Sequence, residues 1–212
     1  MRSLTRRTAL VAAAATAALS LTLTACGSDD SGSSGHSGHD STSKATASAG
    51  TSAPAGKHNE ADVSFAQGMI PHHRQAVEMA DLAPTRASSA QVKKLAADIK
   101  KAQDPEIRTM SGWLKTWGEK VPEAMPGMDH SQHEGMPGMM GSKEMEELKK
   151  ASGAAFDTAF LKMMVQHHMG AVDMAGTEKQ KGAYGPAKTM ADDIIKTQNE
   201  EITEMNKLLG KS

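Results

Sequence analysis

Cysteine, aromatic residues and an excess of either charge are all scarce in this chain of 212 residues. The one cysteine, Cys26, excludes an intramolecular disulfide and any zinc site built on paired cysteines. Aromatic residues make up 3 % of the chain, so a large aromatic-rich β core is not available. The formal net charge is −1, which argues against a nucleic acid partner. Methionine, in contrast, occurs 16 times, so any soft sulfur chemistry must come from thioethers.

The first 25 residues have the pattern of a bacterial secretion signal. A basic segment at residues 2–7 precedes an apolar run at 9–23 that is too short to span a bilayer. The quartet Leu-Thr-Ala-Cys that ends at Cys26 resembles a lipobox. We therefore expect a lipoprotein signal peptide over 1–25 and a lipid on Cys26 that anchors the protein to the outer face of the cell membrane. A short anchor helix with an incidental cysteine is the alternative.

Composition divides the rest of the chain. Residues 26–58 are mostly Gly, Ser, Ala and Thr, which predicts a flexible tether, and residues 59–212 are predicted to form a helical domain. A Met/His-rich loop over 119–142 interrupts this domain. Because this loop is not predicted to be helical, its Met and His side chains do not belong to an apolar helix face that packs in the core. This makes them candidate metal ligands. They are Met125, Met128, His130, His133, Met136, Met139 and Met140.

The predicted domain contains two copies of one sequence unit. Residues 65–80 align with 160–175 at an offset of 95, with eight identities in sixteen positions. The same offset aligns 98–110 with 193–205, with seven identities in thirteen. A constant offset over two segments indicates an internal duplication. The two repeats are predicted over 59–118 and 143–212.

Apolar residues recur with a helical period in both repeats. The spacing predicts four helices, near 60–83, 89–118, 143–177 and 186–209. Ser88 with Gln91 forms a capping-box pattern, and Pro186 follows Gly185 at a plausible helix start. Two helical hairpins joined by a loop predict an all-α fold, most simply a four-helix bundle.

Two prolines distinguish the first repeat from the second. Pro71 stands where the second repeat has Gln166, and Pro105 stands where it has Glu200. Because proline lacks an amide hydrogen, we expect the first two helices to kink or restart at these residues.

The predicted core stripes carry polar side chains, namely His72, His167, Gln103, Glu106, Gln198 and Glu201. Burying such groups without partners costs about 1–3 kcal/mol each, so they must bind one another, water or a metal. Adjacent histidines point about 100° apart on a helix, so one of each pair is expected in the core and the other on the flank. Glu106 and Glu201 could be metal ligands or could orient His72 and His167. A hydrogen-bonded network without metal stays open.

Methionine and histidine share one helix face in each repeat. Met69 precedes His72 by three residues, and Met164 precedes His167 in the same way. Thioethers are poor ligands for zinc, magnesium or calcium but suit Cu(I), and imidazole serves copper in either oxidation state. The pattern therefore favours copper, as Cu(I). The candidate ligands in the helices are Met69, His72, His73, Met79, Met164, His167, His168 and Met174.

The segments FAQGMIPHHRQAVEMA at 65–80 and MMVQHHMGAVDMA at 163–175 resemble the paired His-His signatures of the bacterial family known as domain of unknown function 305. The resemblance covers roughly residues 59–210. It implies a ferritin-like helical bundle, and some members of the family are extracytoplasmic copper-binding proteins linked to copper tolerance. The signature positions are His72, His73, Met79, His167, His168 and Met174.

Three functions are compatible with these patterns. The first is a membrane-anchored lipoprotein that sequesters Cu(I) or transfers it to a partner protein. The second is a helical interaction module without metal, whose Met-rich loop grips an apolar surface. The third is a ferritin-like di-iron enzyme, which needs Glu three residues before a metal-binding His. None of the nine histidines has Glu at that position, so we do not expect an enzyme.

Overall fold

The computed structural model describes residues 56–123 and 136–211, in which the regular secondary structure is α-helical. The helices are α1 (Glu60–Arg86), α2 (Ala90–Trp117), α3 (Ser142–Lys150), α4 (Gly153–Lys181) and α5 (Gly185–Leu208). The predicted all-α fold is confirmed. The signal peptide, Cys26 and most of the tether lie outside the described residues. No helix in the described part of the chain has an apolar stretch long enough to cross a membrane.

Side-chain caps fix where the first two helices begin. Asn59 caps α1: its side chain accepts the backbone N–H of Asp62, and the Asp62 carboxylate accepts the backbone N–H of Asn59 in return. The cap of α2 is Ser89, whose hydroxyl accepts the N–H of Val92. The predicted cap at Ser88 is therefore wrong by one residue, because Ser88 instead donates to the carboxylate of Asp157 on α4.

The helix predicted over 143–177 is two helices. The chain breaks at Ala151 and Ser152, and Gly153 then takes a left-handed conformation with φ of +63°. Gly153 also forms an isolated bridge with Ala87, at the turn between α1 and α2. The apolar period continues across the break, which is why periodicity alone did not reveal it.

Neither α1 nor α2 restarts at the proline that distinguishes the first repeat from the second. Pro71 lies inside α1 and Pro105 inside α2, and both helices continue through them. The expected restart is wrong. Each proline leaves one carbonyl without its helical amide donor, and packing of the long helices outweighs this local loss.

The four long helices pack as two hairpins, α1 with α2 and α4 with α5, that meet through α1 and α4. This arrangement is consistent with the predicted four-helix bundle. The apolar core forms two clusters, and each takes residues from all four long helices. One contains Met79, Ile99, Phe160 and Met205, and the other contains Met69, Met110, Ala171 and Ile194. Between these clusters lies the layer that carries the histidines.

One end of the domain is tied by a buried carboxylate. Asp62 accepts backbone N–H groups from Asn59 at 2.6 Å, Tyr184 at 2.9 Å and Ala183 at 3.1 Å, and so joins the start of α1 to the turn before α5. Although burial opposes it, the Glu178 carboxyl and these amides lower the pKa of Asp62. Burial, and then contact with Asp62, raises the pKa of Glu178 to about 8.

Candidate metal centre

A layer of polar side chains divides the core at the middle of the long helices. All four residues of the two His-His pairs are fully buried, together with Gln103 on α2 and Gln198 on α5. The expectation that one histidine of each pair lies on the flank is wrong. α1 packs against α2 and α4, and α4 packs against α1 and α5. Each of these two helices therefore has protein on two sides, and two adjacent histidines can both be buried.

The two glutamates pair with the second histidine of each repeat. His73 Nε2 lies 2.7 Å from Glu106 Oε2, and His168 Nε2 lies 2.6 Å from Glu201 Oε2. The alternative in which these glutamates orient His72 and His167 is therefore wrong by one position in both repeats. Since a carboxylate only accepts, Nε2 of each imidazole donates. Nδ1 of each ring has no hydrogen-bond partner, and it carries a lone pair whenever the ring is neutral.

The first histidines of the two repeats touch each other. The ring centroids of His72 and His167 are 3.8 Å apart, with the ring planes tilted by 38°. His72 Nε2 donates to the carbonyl of Pro137 at 3.1 Å, which again leaves Nδ1 as the acceptor. His167 makes no such bond, and neither of its ring nitrogens has a hydrogen-bond partner. The centre thus joins the two repeats through one imidazole from each.

Both of these imidazoles are held neutral. Burial, and then the neighbouring His73, lowers the pKa of His72 from 6.5 to about 3. Burial, and then His72, lowers the pKa of His167 well below 6.5. A neutral imidazole is the form that binds metal, so these two rings need not lose a proton to act as ligands near neutral pH.

The layer leaves many polar atoms without partners. The unpaired atoms are Nδ1 of all four histidines, Nε2 of His167, both amide atoms of Gln103 and the amide oxygen of Gln198. Buried polar atoms without partners cost about 1–3 kcal/mol each. A hydrogen-bonded network alone accounts for the His–Glu pairs but not for these atoms. Ring nitrogens with free lone pairs, whose opposite N–H is held by an oxygen, are the arrangement found in metal-binding histidines.

The candidate methionines in the helices fall on both sides of the layer. Met69 and Met164 are fully buried one turn before the histidines, and histidine side chains tilt toward that preceding turn. Met79 and Met174 come two turns later, about 10 Å along the helix axis. Met79 is fully buried, whereas Met174 is partly exposed and its methyl group packs near Gly68. Met69 and Met164 are therefore the thioethers best placed to share a metal with the imidazoles.

Among the described residues, no three His, Cys, Asp or Glu side chains converge as a metal-binding set. A metal at this layer would need other ligands beside the imidazoles, and methionine sulfur is the donor that the neighbouring turns supply. Such a mixed sulfur and nitrogen set suits copper better than zinc or iron.

The candidate metal ligands in the loop fall into two groups, those outside and those inside the described residues. Met125, Met128, His130 and His133 lie outside the described residues. Met136 and Met139 are partly exposed, whereas Met140 is buried in the same apolar cluster as Met79. The expectation that packing offers the loop methionines no role is therefore wrong for Met140.

The sequence interpretation missed the residues that hold the end of this loop. Gln75 donates to the carbonyl of Met140 at 2.8 Å and accepts its N–H at 2.7 Å. On α4, a Cβ at Gly170 would lie 2.0 Å from the carbonyl oxygen of Pro137. Gln75 and Gly170 are equivalent positions in the two repeats. The sequence did contain a signal for this contact, because the two repeats share the His-His pair but differ at this nearby position.

Comparisons with known proteins give one consistent family. The sequence profile of "Domain of unknown function (DUF305)" matches residues 62–209. A DUF305 protein of Streptomyces coelicolor, described as a candidate secreted protein, is 34 % identical; the match covers 71 % of this chain and 93 % of that one, with a TM-score of 0.63. A DUF305 fragment from Deinococcus radiodurans is 30 % identical, covering 74 % and 100 % of the two chains, with a TM-score of 0.64.

CopM is a third similar structure. Its Cu(II)-bound form is 35 % identical, covering 69 % of this chain and 94 % of CopM, with a TM-score of 0.60. CopM also has Cu(I)-bound and silver-bound structures. The comparison with curated proteins finds no match. The profile match over most of the chain and the paired histidines at the centre of the fold show that this chain belongs to the DUF305 family.

Proposed function

We propose that this chain is an extracytoplasmic copper-binding lipoprotein that sequesters Cu(I) or hands it to another protein. The observation that carries the proposal is the set of four buried imidazoles with unpaired Nδ1 atoms. Nε2 is held by an oxygen in three of them, which fixes each ring and points its free lone pair into the core.

Copper is favoured by the donors within reach. Met69 and Met164 supply soft sulfur one turn from the imidazoles, and such sulfur selects Cu(I) among the common metals. The similar protein CopM has been solved with Cu(I), Cu(II) and silver, and silver is the usual mimic of Cu(I). Methionine also suits an oxidising compartment, since it supplies sulfur without forming disulfides.

The proposed location depends on the N-terminal sequence. A signal peptide over 1–25 and a lipid on Cys26 would hold the domain outside the cytoplasm on a tether. The similarity to a candidate secreted protein of Streptomyces coelicolor supports the extracytoplasmic part of this proposal.

A binding role fits the centre better than catalysis by a di-iron site. Di-iron proteins of the ferritin type use carboxylates that bridge two metals. Here Glu106 and Glu201 each bond to a different imidazole, on opposite hairpins. We therefore propose no enzymatic activity for the chain.

Titration of residues 27–212 with Cu(I) against a competing chelator tests the proposal. We expect binding tighter than micromolar, and a loss of at least a hundredfold in affinity when His72 and His167 are both replaced by Ala. His58→Ala is the matched control, because His58 is exposed and stacks on Trp117 away from the centre. Wild-type binding weaker than micromolar would contradict the proposal and favour a metal-free interaction module.

The Met/His-rich loop is proposed as a weaker set of capture ligands. Replacing Met125, Met128, His130 and His133 with Ser should lower the number of Cu(I) ions bound but keep the tightest site. Loss of the tightest site in this variant would place the main copper ligands in the loop instead.

A further inference from the structure

The segment 137–140 lies beside the candidate metal centre and contacts both α1 and α4, and we call it the strap. Its first residue, Pro137, accepts the N–H of His72 on α1. Its last residue, Met140, is bonded twice to Gln75 on the same helix, at 2.8 Å and 2.7 Å. The bonds at its two ends therefore fix the strap against the first repeat.

The middle of the strap lies against the backbone of the second repeat. Gly138 has φ of +77°, and a Cβ there would lie 2.6 Å from the carbonyl of Gln166 and 2.9 Å from that of His167. On the helix side, a Cβ at Gly170 would lie 2.0 Å from the Pro137 carbonyl. Two glycines facing each other let the backbones of strap and α4 approach this closely.

The strap makes the two halves of a duplicated centre unequal. His72 and His167 are equivalent positions, yet only His72 has its Nε2 occupied, by Pro137. Gln75 and Gly170 are also equivalent positions. In the first repeat this position supplies the amide that holds the strap, and in the second it supplies the space that the strap needs.

We propose that the strap covers the centre between His72 and His167 and sets the rate at which metal enters and leaves, with Gln75 and Gly170 as its positioning residues. The inference rests on the proposed copper-binding function. Displacing the strap would free Nε2 of His72 and open the centre toward solvent. The same opening serves uptake and release, so the strap governs exchange rates more than equilibrium affinity.

Two variants with matched controls test the strap. Gln75→Ala removes both buried bonds to Met140, and the control Gln67→Ala removes one exposed bond from α1 to the carbonyl of Lys120, outside the strap. Gly170→Ala places a methyl group against Pro137, and Gly176→Ala adds one on the same helix where nothing lies within 4 Å.

The first readout uses copper-free protein. Amide hydrogen exchange at Met140, whose N–H bonds to Gln75, should accelerate at least tenfold in Gln75→Ala and Gly170→Ala and stay within twofold in both controls. The second readout uses copper-loaded protein mixed with an excess of a colorimetric Cu(I) chelator. Release should accelerate at least tenfold in the two strap variants, while the equilibrium affinity for Cu(I) changes by a smaller factor.

The outcomes separate the two proposals. Unchanged release despite faster exchange at Met140 would overturn the strap proposal and leave copper binding intact. If the affinity for Cu(I) in the strap variants falls by the same factor as the release rate rises, the strap only supports the structure of the site, and the proposal is also overturned. Absence of Cu(I) binding by the wild-type chain would overturn the proposed function and the strap proposal with it. Should Gly170→Ala fail to fold, Gln75→Ala alone decides the question.

Discussion

His72 and His167 occupy equivalent positions in the two repeats, and their ring centroids are 3.8 Å apart, but only His72 bonds to the strap. The duplication brings two identical side chains together, and the segment that joins the repeats then distinguishes them. The metal centre that we propose is thus nearly symmetric in its helices and asymmetric in its cover.

Replacing Glu106 with Gln should weaken Cu(I) binding. The amide oxygen can still accept from His73 Nε2, but it lacks the negative charge that makes the imidazole a stronger donor to metal. Loss of such a partner typically lowers metal affinity roughly 10- to 100-fold. Glu201→Gln should have a similar effect through His168, and Glu200→Gln, at an exposed neighbouring position, should have none. Competition titration measures all three, and unchanged affinity in both of the first two variants would rule out this role.

The copper-free protein should lose stability as the pH falls from 6.5 toward 3. His72 has an ordinary pKa of 6.5 when unfolded and about 3 when folded, so the unfolded chain binds more protons across this range. Stability contributed by the neutral ring is therefore present above pH 6.5 and lost as the pH falls. The slope is roughly 1.4 kcal/mol for each pH unit and each such histidine.

Urea unfolding at pH 7, 6, 5 and 4 measures this dependence. The free energy of unfolding of His72→Gln should fall less steeply than that of the wild type over the same range. His58→Ala, which leaves the buried layer intact, should keep the wild-type slope. Equal slopes for wild type and His72→Gln would show that His72 does not carry the effect.

Glu178 should give a dependence of the opposite sign at higher pH. Its pKa is raised from 4.5 to about 8 in the folded protein, so the folded chain binds more protons between these values. Its contribution to stability is full below pH 4.5 and is lost as the pH rises through 8. Glu178→Gln mimics the protonated acid and should gain stability relative to wild type between pH 6 and 9. A constant difference across that range, measured by thermal unfolding, would contradict this assignment.

Gly153 should resist replacement by alanine. Its φ of +63° costs an alanine about 1–2 kcal/mol, because Cβ meets the following carbonyl. Gly112, inside α2 with open space around it, is the matched control, and Gly112→Ala should stabilise by about 0.5–1 kcal/mol. Chemical denaturation of both variants compares the two. Equal changes would mean that the break before α4 does not depend on this glycine.

Much of the fold could be predicted because the internal duplication and its apolar period are visible in the sequence. The period of residues such as Phe65, Met69, Phe160 and Met164 predicted the long helices, and all four side chains are buried. The break between α3 and α4 could not be predicted, since it depends on the backbone of Gly153 and its bridge to Ala87. Apolar periodicity gives no information about a backbone contact of this kind.

The sequence predicted polar side chains in the core of the bundle, but it did not predict which of them pair. The histidines and glutamines are buried as expected, whereas Glu106 and Glu201 are only partly buried. A rotation of 100° on a helix decides whether Glu106 meets His72 or His73. That rotation depends on how α1 sits between α2 and α4. The strap was missed for a similar reason, because Gln75 looks like any surface glutamine until the loop folds back on it.

The contact between His72 and His167 also bears on how the domain can assemble. Each apolar cluster draws on both hairpins, and each repeat supplies one imidazole of the touching pair. A chain with a single repeat could form this centre only as a symmetric dimer, at a concentration sufficient for pairing. Joining the repeats in one polypeptide makes their encounter intramolecular, so the centre forms at any dilution of the protein.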